Sequence, residues 1–195
     1  DTVAMTALSN EEVIYKDIPG AFYHLKYQLE DSEEYLDVAT TRPETLFGDT
    51  AVAVNPEDER YQKYIGKNVI IPIKNKLIPV IADAHADMDK GTGCVKITPF
   101  HDPNDFLVGE RNQLPKVQCI NLDGTLNEEA LEYQGLDRFI AREKLIGDLK
   151  AKGLLLRVEE ITHNAPFSER SGSLVEPILS KQWFVKMRPL ADRVL

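Results

Sequence analysis

An α+β or barrel-like domain is what the sequence predicts, on three observations. Short segments of alternating apolar and polar residues fill most of the chain, sustained helical periodicity is rare, and strands do not alternate with helices as a doubly wound sheet requires. Residues 12–18 (EVIYKDI), 21–29 (AFYHLKYQL) and 35–40 (YLDVAT) alternate with a period of two, separated by Pro19-Gly20 and by an acidic run at 30–34, and predict an antiparallel meander. A short run at 51–54 (AVAV) precedes Asn55-Pro56-Glu57-Asp58-Glu59, where an Asn cap, an early Pro and three acids predict a helix start. Segments 68–73 (NVIIPI) and 77–83 (LIPVIAD) read as a hairpin through Lys74-Asn75-Lys76, with Pro72 and Pro79 placing it at edges or bulges, because proline cannot donate to a ladder.

Gly91-Thr92-Gly93 turns the chain into a strand at 94–98, and Asp102-Pro103 then reads as N-cap followed by N1 proline, opening a helix to about Arg111. A second helix spans 137–152. Ala141, Leu145 and Leu149 fall four apart, Phe139 and Ile146 seven apart, Asp137 caps the start and Gly153 ends it. A strand at 154–161 (LLLRVEEI) follows, and the chain shows no internal repeat and no low-complexity tract.

The 195 residues, 43% of them hydrophobic, match one large domain or two small ones and suffice for a core. The formal charge of −9 argues, by composition alone, against a nucleic-acid partner, since phosphate binding normally shows as excess positive charge. No apolar run nears the ~18 residues of a membrane span, and no basic segment precedes an apolar signal core. A cytoplasmic protein without a membrane partner is expected. Cys94 and Cys119 lie far apart without CxxC spacing, so they read as reduced packing thiols rather than a disulfide or zinc pair. Asp1 in place of Met, and a final QWFVKMRPLADRVL that still reads as structured, suggest a piece of a longer protein.

Two stretches carry candidate chemistry. Thr40-Thr41-Arg42-Pro43-Glu44-Thr45 puts three hydroxyls and a guanidinium at a strand-to-loop junction, suited to a carbonyl, a ribose or a water; its ordinary reading is a turn satisfied by its own threonines. In residues 91–105, Lys96 and Thr98 project from one strand face, while Asp102 and Asp105 share one face of a helix start, where the helix dipole favours ionised carboxylates near neutral pH. Carboxylates facing a lysine and a threonine suit an ammonium and a hydroxyl. The ordinary reading is that Asp102 only caps and Asp105 is a solvated acid. A metal site at His101, Asp102 and Asp105 lacks a second supporting cluster. His24, His85 and His163 have no partners at metal or triad spacing, neither a GxSxG elbow nor a Walker loop occurs, and Cys94 lacks an evident base.

Residues 40–61 (TTRPETLFGDTAVAVNPEDERY), Gly91-Thr92-Gly93, 97–106 (ITPFHDPNDF), Val175-Glu176-Pro177 and 179–187 (LSKQWFVKM) closely resemble the editing insertion of the valyl-tRNA synthetases. The sibling enzymes are expected to diverge in the first motif, an isoleucyl enzyme toward TPWTLPAN and a leucyl enzyme toward TRPDTLFGA. The resemblance implies a β-barrel-centred α+β domain with flanking helices over residues 1–187, with 188–195 starting the return to the synthetase catalytic domain. It implies hydrolysis of threonine esterified to the valine tRNA, with threonyl-adenylate a second candidate substrate. The need is physical: threonine is nearly isosteric with valine, and an apolar pocket cannot strongly reject an isostere that adds a hydroxyl.

The resemblance also implies roles. Asp105 binds the substrate ammonium, Asp102 accepts from the threonine hydroxyl, and Lys96 and Thr98 supply further polar contacts. Arg42 and Thr45 meet the terminal adenosine or the aminoacyl group, while Thr40 and Thr41 hold the attacking water and the carbonyl. Neither a protein nucleophile nor a metal is implied, and the terminal ribose helps orient the water. ATP and Mg belong to the parent enzyme's ligase site, whose HIGH and KMSKS signatures are absent here. The chain departs from the pattern where Ser168 and Ser171 replace a Cys-x-x-Cys knuckle, so no zinc is expected there, and at Lys90, where an apolar wall residue would be unsurprising. Against −9, the expected partners are the threonine-bearing acceptor end of tRNA(Val) and the rest of the synthetase, with weak, salt-sensitive tRNA binding by this piece alone. The alternatives are an isoleucyl-type domain clearing valyl-tRNA, and a module that holds a tRNA end without hydrolysis.

Overall fold

The computed structural model describes residues 1–181 and 183–192. Its strands are β1 (Val13–Leu29), β2 (Tyr35–Thr40), β3 (Ala51–Val54), β4 (Asn68–Ile70), β5 (Leu77–Ala82), β6 (Cys94–Ile97) and β7 (Leu155–Ser168), and its helices α1 (Pro103–Arg111), α2 (Arg138–Ala151) and α3 (Met187–Ala191). The sheet runs β2-β1-β4-β5-β3-β6, with β7 added on β1. Its two ends, β2 and β6, pack against each other, so the sheet curls into a half-barrel. The predicted α+β architecture holds.

The predicted meander needs one correction. Pro19-Gly20 is no turn: apart from Glu12, which ends a 3-10 turn, residues 12–18 and 21–29 lie in the single strand β1, antiparallel to β7 from Val13↔Ser168 to Leu25↔Leu155. β7 supplies a continuous partner that overrides the local turn signal, and it extends past the predicted 154–161 because the ribbon pairs to its end. The predicted helix after Asn55 is also absent. Asn55 Oδ1 accepts the Glu57 N–H (3.0 Å) as a cap would, but the chain folds into successive turns and a 3-10 segment, Gln62–Tyr64. The caps are there without an apolar stripe to propagate a helix.

Pro79 sits where β5 changes partners: Leu77–Pro79 pair with β4, and Val80–Ala82 pair with β3 in parallel. β3 is buried on both faces, with Val52 and Val54 in the main core and Ala51 and Ala53 in a smaller cluster with Ile97 and Val108, where small side chains let α1 approach. Helix α2 buries Ala141, Leu145 and Leu149 as its spacing predicts, whereas Phe139 and Ile146 face a groove instead. Truncating Leu145 to Ala there costs about 2–5 kcal/mol. The turn at Ser168–Ser173 is closed by hydroxyls: Ser168 Oγ donates to Asp1 Oδ2 (2.7 Å), and Ser171 and Ser173 Oγ lie 2.8 Å apart. The predicted boundary near 187 falls at the start of α3, which buries none of its side chains, and residues 193–195 lie outside the described residues. Among the described residues no helix is long and apolar enough to cross a membrane.

Candidate active site

Three pieces of backbone converge beside the curl of the sheet: the end of β2 with the buried 3-10 turn Pro43–Gly48, the end of β6, and the N-terminus of α1. Gly48 makes the approach feasible, since a Cβ there would meet Val117 O at 2.9 Å and Thr98 Cγ2 at 3.1 Å. Between them lies a cleft of about 250 Å³ lined by all eight residues singled out from the sequence: Thr40, Thr41, Arg42, Thr45, Lys96, Thr98, Asp102 and Asp105.

The floor is a buried polar ring. Lys96 Nζ donates to Thr45 Oγ1 (2.7 Å), Asp49 Oδ1 (2.9 Å) and Thr98 Oγ1 (2.6 Å). Thr98 Oγ1 donates to Asp49 Oδ1 (2.7 Å), and the Tyr27 hydroxyl donates to Asp49 Oδ2 (2.6 Å). Burial pushes the Asp49 carboxyl up, while the Lys96 charge and the Tyr27 and Thr98 hydroxyls pull against it. Such a pair is held by its mutual charge, and removing one partner costs about 3–5 kcal/mol. Asp49 and Tyr27 were not singled out from the sequence. The usable signal was that a lysine on a buried strand face requires a buried carboxylate.

At the helix start both ordinary readings are tested. Asp102 does cap α1, its Oδ1 accepting from Asn104 N (2.7 Å) and Asp105 N (3.1 Å). Asp105 is not a solvated acid: it is 8% exposed, and its Oδ2 accepts the Thr98 N–H (2.8 Å). Burial raises its carboxyl to about 6, against the opposing pull of Lys96 and the Thr98 bond, so the carboxylate persists at neutral pH by a narrower margin than the helix dipole alone predicts. His85 Nε2 stands 3.7 Å from Asp105 Oδ1 at the rim.

The other wall is an ion network. Arg42 pairs with Glu176, donates to His101 O (3.1 Å) and lies 3.5 Å from Glu44, while Arg142 holds Glu44 with two 2.7 Å bonds. Burial works against the Arg42 charge, but Glu176 and Glu44 more than offset it and raise its affinity for the proton. Much of this guanidinium is therefore committed to the protein. The local-turn reading of the threonines is right as far as it goes: Thr40 Oγ1 accepts from Arg42 N (3.0 Å) and Thr45 Oγ1 donates to Arg42 O (2.9 Å), yet both line the cleft. Glu44 and Glu176 belong to motifs quoted above, but their roles needed the third dimension.

His101 is buried, and its Nε2 accepts the Cys119 N–H (2.9 Å); burial lowers it to about 3, so it is a neutral acceptor that fixes the loop segment at Cys119. No three His, Cys, Asp or Glu side chains converge as a metal site among the described residues. Burial pushes the Cys94 thiol up to about 12 and Cys119 further, which suits packing rather than nucleophilic attack. Lys90 points into solvent beside Asp87 (3.1 Å) and takes no part in the cleft wall.

The arrangement presents acceptors and a carboxylate to a ligand carrying an ammonium and a hydroxyl. The fold is shared with a segment of an aminoacyl-tRNA synthetase: in the crystal structure of the ternary complex of Agrobacterium radiobacter K84 agnB2 LeuRS with tRNA and LeuAMS, the match has a TM-score of 0.56 at 23% identity, covering 76% of this chain and 20% of that one. No family model matches. Sequence is more specific, for all 195 residues align with valine–tRNA ligases of Streptococcus pneumoniae serotype 4 (60% identical), Anoxybacillus flavithermus (56%) and Bacillus subtilis (56%). The chain belongs to the valine–tRNA ligase family, and it spans 22% of the length of these relatives.

Proposed function

We propose that the cleft is the editing site of a valine–tRNA ligase, hydrolysing threonine from mischarged tRNA(Val), with threonyl-adenylate a second candidate substrate. The observation that carries this reading is the meeting of Asp105, Asp102, Lys96, Thr98, Thr45 and Thr40 around one small cleft. An aminoacyl ester brings an ammonium, a carbonyl, a side chain and a ribose, and each has a counterpart there.

Asp105 receives the ammonium through a charge-assisted hydrogen bond, which fixes the ester. Asp102 accepts from the threonine hydroxyl, a bond valine cannot offer. Thr40 and Thr41 hold a water against the carbonyl carbon. Water oxygen bonds to that carbon, the ester C–O bond to the ribose breaks, and the ribose oxygen leaves with a proton from the water, giving free threonine and intact tRNA. The rate enhancement rests on positioning and preorganised hydrogen bonds, with no protein nucleophile and no metal in the scheme. ATP and Mg serve the ligase reaction of the parent enzyme, whose site lies outside this sequence. The setting is cytoplasmic, the tRNA end the partner, and the rest of the synthetase supplies most tRNA affinity, because a chain of −9 offers few phosphate contacts.

Deacylation of threonyl-tRNA(Val) and valyl-tRNA(Val) tests the reading. Faster release of threonine supports it. Preferential release of valine favours the isoleucyl-type alternative, and binding of the acceptor end without release favours a non-catalytic module.

A further inference from the structure

Counting protons in the floor of the cleft assigns a direction to every hydrogen bond. An ammonium has three N–H donors, and those of Lys96 are all spent, on Thr45, Asp49 and Thr98. The Thr45 hydroxyl, having accepted from Lys96, gives its own proton to Arg42 O. The Thr98 hydroxyl, having accepted from Lys96, gives its proton to Asp49 Oδ1, and the other carboxylate oxygen is occupied by Tyr27. Both threonine hydroxyls thus keep one lone pair and no proton for the cleft, and Lys96 keeps no donor for it.

Building on the editing reading above, we propose that Asp49 is a positioning residue for specificity: by holding the Thr98 proton and the Lys96 ammonium inward, it makes the cleft floor an acceptor-only wall that selects a side chain able to donate a hydrogen bond. Asp49 never touches the substrate. The one hydroxyl proton of a threonine side chain has this wall and the Asp102 carboxylate as alternative acceptors, whereas valine presents a methyl group and leaves the desolvated lone pairs of the wall without a donor. An asparagine at 49 would remove the anion and bring an N–H of its own, freeing the Thr98 proton to turn toward the cleft and letting Lys96 seek another acceptor. The selectivity then falls while the shape of the pocket is kept.

The test separates selection from hydrolysis. Affinities of the 195-residue chain and of its Asp49→Asn variant are measured for two non-hydrolysable probes, threonine and valine each joined by an amide to the 3′ position of adenosine, with threonyl-tRNA(Val) deacylation followed in parallel. The expected result is a threonine preference of at least about tenfold in the parent that falls severalfold in Asp49→Asn, where Asp102 and the Thr45 lone pair remain as acceptors. An unchanged preference in Asp49→Asn, or an equal loss of affinity for both probes, overturns the proposal, as does a parent with no preference. A preference that responds to Asp49→Asn in a chain that releases no threonine leaves the proposal standing and defeats the hydrolytic reading instead. If Asp49→Asn does not fold, Thr98→Val carries the test: this isosteric change removes the lone pair itself, so the preference must fall, and a preference kept at the parent value overturns the proposal.

Discussion

Helices α1 and α2 begin in the same way and end up with different work. Each is capped by an aspartate whose Oδ1 accepts a backbone N–H, Asp102 from Asn104 (2.7 Å) and Asp137 from Phe139 (2.8 Å). Three residues beyond each cap they diverge: α1 places Asp105, 8% exposed and bound to the Thr98 N–H, whereas α2 places Ile140, 59% exposed. A capped helix start is thus a structural device, and it becomes a candidate site where a second carboxylate is buried against a neighbouring strand.

That contrast is broken most severely at Asp105. Asp105→Ala is expected to lower kcat/KM for threonyl-tRNA hydrolysis by about 30- to 150-fold, the 2–3 kcal/mol of a charge-assisted bond, measured by release of labelled threonine. The pH dependence sharpens the same point. With the Asp105 carboxyl at about 6, kcat/KM should fall as pH drops below about 6, by about tenfold at pH 5, because only the carboxylate pairs with the ammonium. Because the folded value lies above the ordinary 3.8, the folded state binds the extra proton between these values, so this group lowers stability as pH rises from about 4 to 6. Asp105→Asn should abolish the activity limb near 6.

Asp102 combines the two kinds of helix start. Asp102→Ala should cost about 1 kcal/mol of stability and should reduce the threonyl-over-valyl preference, while Asp102→Asn should keep the cap. Deacylation ratios and thermal melting separate the two effects. The smallest change is expected at the purely structural cap, where Asp137→Ala should lower Tm by about 2–4 °C and leave hydrolysis untouched.

How far all this was legible in the sequence follows the range of the forces involved. Asp102-Pro103 and Asp137 signal their helices because a cap acts within one turn, and Lys96 with Thr98 share a face because strand alternation is local. The Lys96–Asp49 pair depends on β3 lying against β6, and the Arg42–Glu176 pair spans 134 positions, so neither has a local signature. The failures have the same origin: Pro19-Gly20 was overruled by pairing with β7 at Thr162 and Ile161, and the Asn55 cap opened turns because no apolar stripe followed. Residue types picked out side chains that line one cleft, and the third dimension supplied the partners that hold them.

The most direct test of the central claim is deacylation of threonyl-tRNA(Val) and valyl-tRNA(Val) side by side, by the 195-residue chain and by the full-length enzyme carrying it, each with and without Asp105→Asn. The account predicts that threonine is released faster than valine and that Asp105→Asn slows the release of both, because both esters carry the ammonium; equal release of the two without the substitution, or threonine release at the parent rate in Asp105→Asn, would contradict it.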